Sequence, residues 1–147
     1  MENAVVRSTP RHSTDIGDHC LIGPNAHVVG CSVEDEVFIA TGAAIFHGAR
    51  LGRGAEVRIN AIVHLRSHLP AGATVPIGWV AVGDPIQILS PDKHDAIWQL
   101  QKPLNFPLHV YGLDRPEANM VNITTRLCEE LSQHQNDRPV PQPENRV

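Results

Sequence analysis

Branched aliphatic residues recur along this chain with a period of six. Ile16, Ile22 and Val28 begin the series. After one five-residue step it resumes at Val33 and continues through Ile39, Ile45, Leu51, Val57, Val63, Leu69 and Val75. A second series trails the first by four positions: Cys20, Ala26, Ser32, Val37, Ala43, Ala49, Ala55, Ala61, Ser67, Ala73 and Trp79. All of these but Trp79 are small or modest in size. A period of six with one large and one small inward position predicts a parallel β-helix. Each hexapeptide is then a short strand plus a corner, and three of them close a triangular coil. The aliphatic side chain fills the interior, and the small one lets the chain turn without crowding the layer. Coils stack about 4.8 Å apart, as neighbouring strands do, and the repeats make somewhat under four coils. Trp79 breaks the small-residue rule where the repeat stops, so it is expected to plug the end of the prism.

Beyond Gly83-Asp84-Pro85 the period is lost. Ser90-Pro91-Asp92 offers an N-cap, a first-turn proline and an acid near the helix dipole, predicting a helix that ends before Pro103. Residues 103–113 read as an extended linker. Asp114 is a candidate cap for a second helix through about Gln133, with Met120, Ile123, Leu127 and Leu131 on one stripe suited to lying along the prism. The expected organisation is therefore an irregular segment over 1–15, the β-helix over 16–83 and a helical segment over 84–135. The polar, Pro-rich stretch 136–147 is expected to be disordered.

Composition supports this architecture. The 147 residues suit one domain, 41% are hydrophobic, and only 4% are aromatic. A core of Val, Ile, Leu and Ala is what triangular coils accommodate. No run approaches the ~18 apolar residues of a membrane span, and no signal-peptide pattern opens the chain. A net charge of −4 with pI near 6.1 argues against a nucleic-acid or membrane-surface binder. Cys20, Cys31 and Cys128 share no metal-like spacing and cannot all pair, which favours a reducing cytoplasm. Asn122-Ile-Thr is a formal glycosylation sequon, without weight in that compartment. The unusual feature is nine histidines against twelve Lys plus Arg.

The stretch Ile22-Gly-Pro-Asn-Ala-His-Val-Val-Gly-Cys-Ser-Val33 resembles the gamma-class carbonic anhydrases and their hexapeptide-repeat relatives. The five-residue step from Val28 to Val33 falls where that family also drops a residue. Ala40-Thr-Gly-Ala-Ala-Ile45, Leu69-Pro-Ala-Gly-Ala-Thr-Val75 and Val80-Ala-Val-Gly-Asp-Pro85 continue the likeness, which covers about residues 3–88. The resemblance implies a left-handed coil, against the general right-handed rule for crossovers. It also implies a homotrimer that holds zinc, or another divalent ion, with three histidines between subunits.

At the ligand positions the likeness stops. The family's first ligand follows a Val-Val pair, which here puts Arg7 in its place; the second falls on Pro24 and the third on Val29. Arg carries no lone pair for a cation, and Pro and Val side chains have no donor atom. Some relatives carry a histidine two residues before the third position, which here is His27, the one candidate metal ligand. A catalytic zinc needs three protein ligands and an open site. His12, in the loop 7–15, is a candidate proton shuttle should a metal bind. In the family several coils precede the first ligand, and Met1 stands about where they supply a Gln. A shortened gene, a misplaced start and a degenerate copy are all open readings of that difference.

The coil offset places Val29, Phe46 and His64 in one column and Gly30, His47 and Leu65 in the next. His47 and His64 are thus diagonal neighbours, expected to be surface histidines at a subunit interface; the alternative is a metal pair completed across a trimer axis. His27 has Ala44 and Ile62 above it. His19, His68, His94, His109 and His134 have no partner that the spacing identifies. Asp18, Asp35 and Arg53 share a column, so a surface ion pair between Asp35 and Arg53 is expected. Arg50, Arg53, Arg58 and Arg66 form a basic surface. Its partner is expected to be Glu34-Asp35-Glu36 of a neighbouring subunit, ahead of an anion such as the phosphates of coenzyme A.

Three functions follow as expectations. The first is a gamma-class carbonic anhydrase-like protein with a degenerate zinc site and no hydratase activity, serving as a trimeric structural or interaction subunit. The second is a zinc-dependent carbonic anhydrase, acting on CO2 and bicarbonate with a non-standard ligand set around His27. The third is an acyltransferase of the hexapeptide-repeat superfamily with His47 or His64 as general base. Nucleic acid and membrane are not expected partners.

Overall fold

The aliphatic series lines the interior of a left-handed parallel β-helix in the computed structural model, which describes residues 1–138. The first coil comprises β1 (Val5–Arg7), β2 (Asp15–Ile16) and β3 (Leu21–Ile22). The second has β4 (His27–Val29), β5 (Ser32–Val33) and β6 (Phe38–Ile39). The third has β7 (Ala44–Ile45), β8 (Arg50–Leu51) and β9 (Glu56–Val57), and the fourth β10 (Ile62–Val63), β11 (His68–Leu69) and β12 (Thr74–Val75). A last strand in the stack, β13 (Val80–Val82), pairs antiparallel with β14 (Gln87–Leu89).

Each face of the prism is one sheet, and its register repeats the sequence period. Val28, Ile45 and Val63 are partners in consecutive layers; so are Val33, Leu51 and Leu69, and Ile39, Val57 and Val75. All nine are buried. Burying each side chain of this kind stabilises the fold by roughly 1.5–3 kcal/mol. Val6 and Ile16, in the first coil with no layer beneath them, are exposed. At the other end Trp79 packs on the final layer with Ile86 and Ile88, as a plug would.

The second series needs one correction. Ser32 is exposed, and the buried small residue at the five-residue step is Cys31. The inward small position keeps its distance from the aliphatic residue that follows, so a shortened corner moves it back by one. Burial pushes the Cys31 thiol up to about 12, which makes it an inert core group. At most corners the third residue after the aliphatic one has positive φ. Gly42 suits that conformation, whereas His19, Glu36 and Arg66 adopt it with a side chain, at φ of 57°, 61° and 53°.

The segment 1–15 is more ordered than expected. Its residues Val5, Val6 and Arg7 pair with His27, Val28 and Val29, so the first coil is complete and only the loop 8–14 departs from the repeat. Glu34, Asp35 and Glu36 also have partners within their own chain. The Arg53 guanidinium reaches Asp35 and, at 3.0 Å, Glu36, while the Arg53 N–H donates to the Glu34 carboxylate at 2.8 Å. The acidic triplet is thus engaged within the chain. Arg58 pairs with Glu56 and Arg50 with Asp84. These pairs are exposed and each contributes about 0–1 kcal/mol. Of the four arginines only Arg66 lacks an ion pair among the described residues.

Two α-helices follow, α1 (His94–Gln101) and α2 (Met120–Ser132), packed on the side of the coil. Neither uses the expected cap. The Ser90 hydroxyl bonds Asp92, and the Lys93 N–H closes a turn on the Ser90 carbonyl, so α1 begins three residues later than expected. At α2 the Asn119 side chain accepts from the Asn122 N–H at 3.0 Å, because Asp114 is already inside a turn closed by the Glu117 N–H. The expected extended linker is instead a 3-10 turn, Lys102–Leu104, and a π-helical turn, Pro107–Tyr111. Pro103 and Pro107 stand in first turns, where no N–H is required. Asn136 ends a further 3-10 turn, Gln133–Asn136, and residues 139–147 of the expected disordered tail lie outside the described residues.

Candidate functional site

The loop 8–14 is braced by its own short polar side chains. The Thr9 N–H donates to the His12 carbonyl at 2.8 Å, and the His12 N–H donates back to Thr9 Oγ1 at 3.1 Å. The Thr14 N–H donates to Ser8 Oγ at 2.9 Å. Thr14 Oγ1 donates to the Arg7 carbonyl at 2.6 Å and accepts from the Gly30 N–H at 2.7 Å. This bracing holds the loop, with Arg11 and His12, beside Arg7, Gly30 and His47. Gly30 is required there: its φ is +58°, and a Cβ on it would lie 2.7 Å from the His12 Cβ.

Onto this loop the chain lays the turn Pro107–Tyr111. The imidazole of His109 stacks on that of His12 with ring centres 4.3 Å apart, and His12 Nε2 lies 3.4 Å from the His109 carbonyl oxygen. His47 stands edge-on to His12 at 6.0 Å. A second aromatic row runs beside the first: Phe46 lies 6.4 Å from His27 and stacks on His64 at 5.9 Å.

His47 and His64 are only 6% and 8% exposed. Their expected place on an interfacial surface is therefore wrong, because the chain's own segments already cover them. His64 is adjacent to Phe46, and His47 to His12. Burial holds His47 down to about 4, helped by His12 when protonated, by the permanent charge of Arg7, and by His109 and His27 when protonated. His64 is lowered by burial alone, His27 by burial and then Arg7, and His109 by burial and then His12. All four shifts favour the uncharged ring. Four buried polar atoms in this region have no hydrogen-bond partner among the described residues: Nδ1 of His47, Nδ1 of His64, Nε2 of His109 and Oδ1 of Asn105.

His27, half-buried on β4, has Val5 below it and Ala44 above, neither of them a metal donor. Arg7 and Val29 are direct partners across β1 and β4, Val29 is wholly buried within its own chain, and Pro24 is half-buried. A zinc ion does not fit these three positions, since none supplies a lone pair and the third is sealed from any neighbouring subunit. Among the described residues no group of three or more His, Cys, Asp or Glu is arranged to hold a metal within one chain. His12 is brought into the cluster, but beside imidazoles and arginines rather than beside His27.

The repeat could not have revealed His109 or Arg11. His109 lies outside the periodic region, and Arg11 sits in the loop that interrupts it. The local signal for Arg11 is Gly112, at φ +69°: a side chain there would fill the space taken by the Arg11 guanidinium.

No protein-family model matches the chain. The mitochondrial gamma carbonic anhydrase 1 of Arabidopsis thaliana is 39% identical over 61 residues, 42% of this chain and 22% of that protein. The mitochondrial gamma carbonic anhydrase 2 of the same plant is 34% identical over 59 residues, 40% of this chain and 21% of that one. This similarity and the left-handed β-helix together support a gamma-carbonic-anhydrase-like, hexapeptide-repeat assignment. This gamma-carbonic-anhydrase-like chain spans about a fifth of the length of the curated relatives it matches. Among solved structures, a UDP-N-acetylglucosamine acyltransferase covers 92% of this chain and 57% of its own at 19% identity, with a TM-score of 0.35. Among the described residues no helix is long and apolar enough to cross a membrane.

Proposed function

We propose that this gamma-carbonic-anhydrase-like chain is a non-catalytic scaffold that assembles as a homotrimer and serves as a structural or interaction subunit. The observation that carries this reading is the set Arg7, Pro24 and Val29 at the family's ligand positions. None can bind zinc, and the buried Val29 is out of reach of a second subunit. With no metal there is no activated hydroxide to attack CO2.

Trimer formation is supported by the apolar side chains left outside the prism. Leu21 and Phe38 are register partners on β3 and β6, and both are exposed; so are Ile59 and Ile77, joined by the hydrogen bond from the Gly78 N–H to the Ile59 carbonyl. Exposed apolar residues that line up across coils suit burial against another subunit. The C-terminal segment leaves them uncovered. Cys20, Cys31 and Cys128 are free thiols, in keeping with a reducing compartment such as the cytoplasm.

Sedimentation equilibrium tests the assembly and a CO2 hydration assay tests the chemistry. The expected result is a mass of three chains, converted to monomer by Ile59→Asp with Ile77→Asp, and hydration no faster than the buffer. A stable monomer, or hydration well above the buffer rate, would overturn the proposal.

A further inference from the structure

We infer that the cleft between the loop 8–14 and α2 binds a small organic monocarboxylate, its carboxylate held by Arg7 and Arg11 and its apolar body by Phe46, Phe106 and Leu127. The cleft has a volume of about 200 Å³ and is closed on one side by the coil and on the other by the C-terminal segment. That volume is below the ~300 Å³ at which sites for drug-sized ligands begin, so the occupant is small.

Its lining combines two kinds of chemistry. Arg7 and Arg11 contribute permanent positive charge, and neither has an ion-pair partner among the described residues. The planar guanidinium matches a carboxylate through paired hydrogen bonds, which makes Arg the residue suited to such a group. Phe46, Phe106 and Leu127, which line the same cleft, cannot satisfy a hydrated inorganic ion. An organic acid satisfies both kinds of group.

A second, independent observation points the same way. His47 also lines the cleft, is 6% exposed, and leaves its Nδ1 without a partner. A buried polar atom left unpaired costs about 1–3 kcal/mol, a penalty that a ligand oxygen at this position removes. Because the ring is neutral, the tautomer protonated on Nδ1 can donate to a carboxylate without adding a charge that must be buried. Glu130 is the one acidic residue among those lining the cleft. Its carboxylate disfavours a second negative charge, so the ligand is a monoanion. Arg7 is held in β1, and the loop that carries Arg11 is braced by hydrogen bonds through Ser8, Thr9 and Thr14, so little ordering remains to be done on binding.

Isothermal titration of the full chain with benzoate, benzamide and inorganic phosphate tests this site, whether or not the chain is a scaffold. Benzoate is expected to bind one per chain, with benzamide and phosphate each at least about tenfold weaker. Arg7→Gln and Arg11→Gln should each weaken benzoate about tenfold while the thermal melt stays within a few degrees, and Glu130→Gln should tighten it. Absence of benzoate binding overturns the inference. Benzamide binding as tightly as benzoate would show a merely apolar cleft, and phosphate binding as tightly would show a bare-anion site; either result rejects it. The benzamide comparison uses the unaltered chain, so it decides even if an arginine variant fails to fold.

Discussion

The imidazole of His12 lies stacked on that of His109, ring planes inclined by 29°, although the two are 97 residues apart in the chain. This contact fastens the loop that interrupts the first coil to the turn that precedes α2. It closes the face of the prism on which the buried histidines lie.

If the stack joins these segments, its two residues are energetically coupled. A double-mutant cycle with His12→Ala and His109→Ala should give a coupling of about 0.5–1.5 kcal/mol in urea unfolding. Both single variants should expose the Pro107–Tyr111 turn to limited proteolysis. Additive effects with unchanged proteolysis would show that the segments dock independently.

Stability should fall as the medium becomes mildly acidic. His47 has a folded-state pKa of about 4 against 6.5 when free in the unfolded chain. As pH drops below 6.5 the unfolded state takes up a proton that the native ring refuses until about pH 4. The stabilisation is therefore complete above pH 6.5, is lost between 6.5 and 4, and levels off below. One such group is worth on the order of 3 kcal/mol over that window, and His27, His64 and His109 are lowered in the same direction. Urea midpoints at pH 7.5, 5.5 and 4 measure the slope, and His47→Gln should make it shallower. An unchanged slope in that variant would mean that the ring is already solvated.

Arg66 sits at a corner with φ of 53° and without an ion pair among the described residues. The left-handed conformation costs a side-chain-bearing residue roughly 1–2 kcal/mol, and glycine relieves it at the expense of some unfolded-state entropy. Arg66→Gly should therefore raise stability by about 0.5–1 kcal/mol, read as a higher urea midpoint. A lower midpoint would mean that the guanidinium holds the His109 segment in place.

Much of the coil was legible because its rules are periodic. Ile45 must be large because it faces the axis, Ala43 small because it turns the corner, and the pairing of Val28 with Ile45 follows from the step length. Ser32 departs from the period because the inward small position is set by its distance back from Val33, which falls on Cys31 at the shortened corner. A helix start is hidden where a side chain spends its hydrogen bond elsewhere, as Ser90 does on Asp92. The cluster around His47 was the least visible part. Its columns follow from the repeat, but its cover comes from residues 8–14 and 103–111, which obey no period and meet through tertiary packing. Burial, which neutralises His47, is therefore a property of the segments that close over it.

The loss of the family's metal site is the claim on which the scaffold reading depends, and zinc content tests it most directly. Protein purified without added zinc and analysed by elemental spectrometry should contain far less than one zinc per chain, with no gain after incubation with zinc and dialysis. Near one zinc per chain, retained through dialysis, would contradict the reading that Arg7, Pro24 and Val29 have abolished the site.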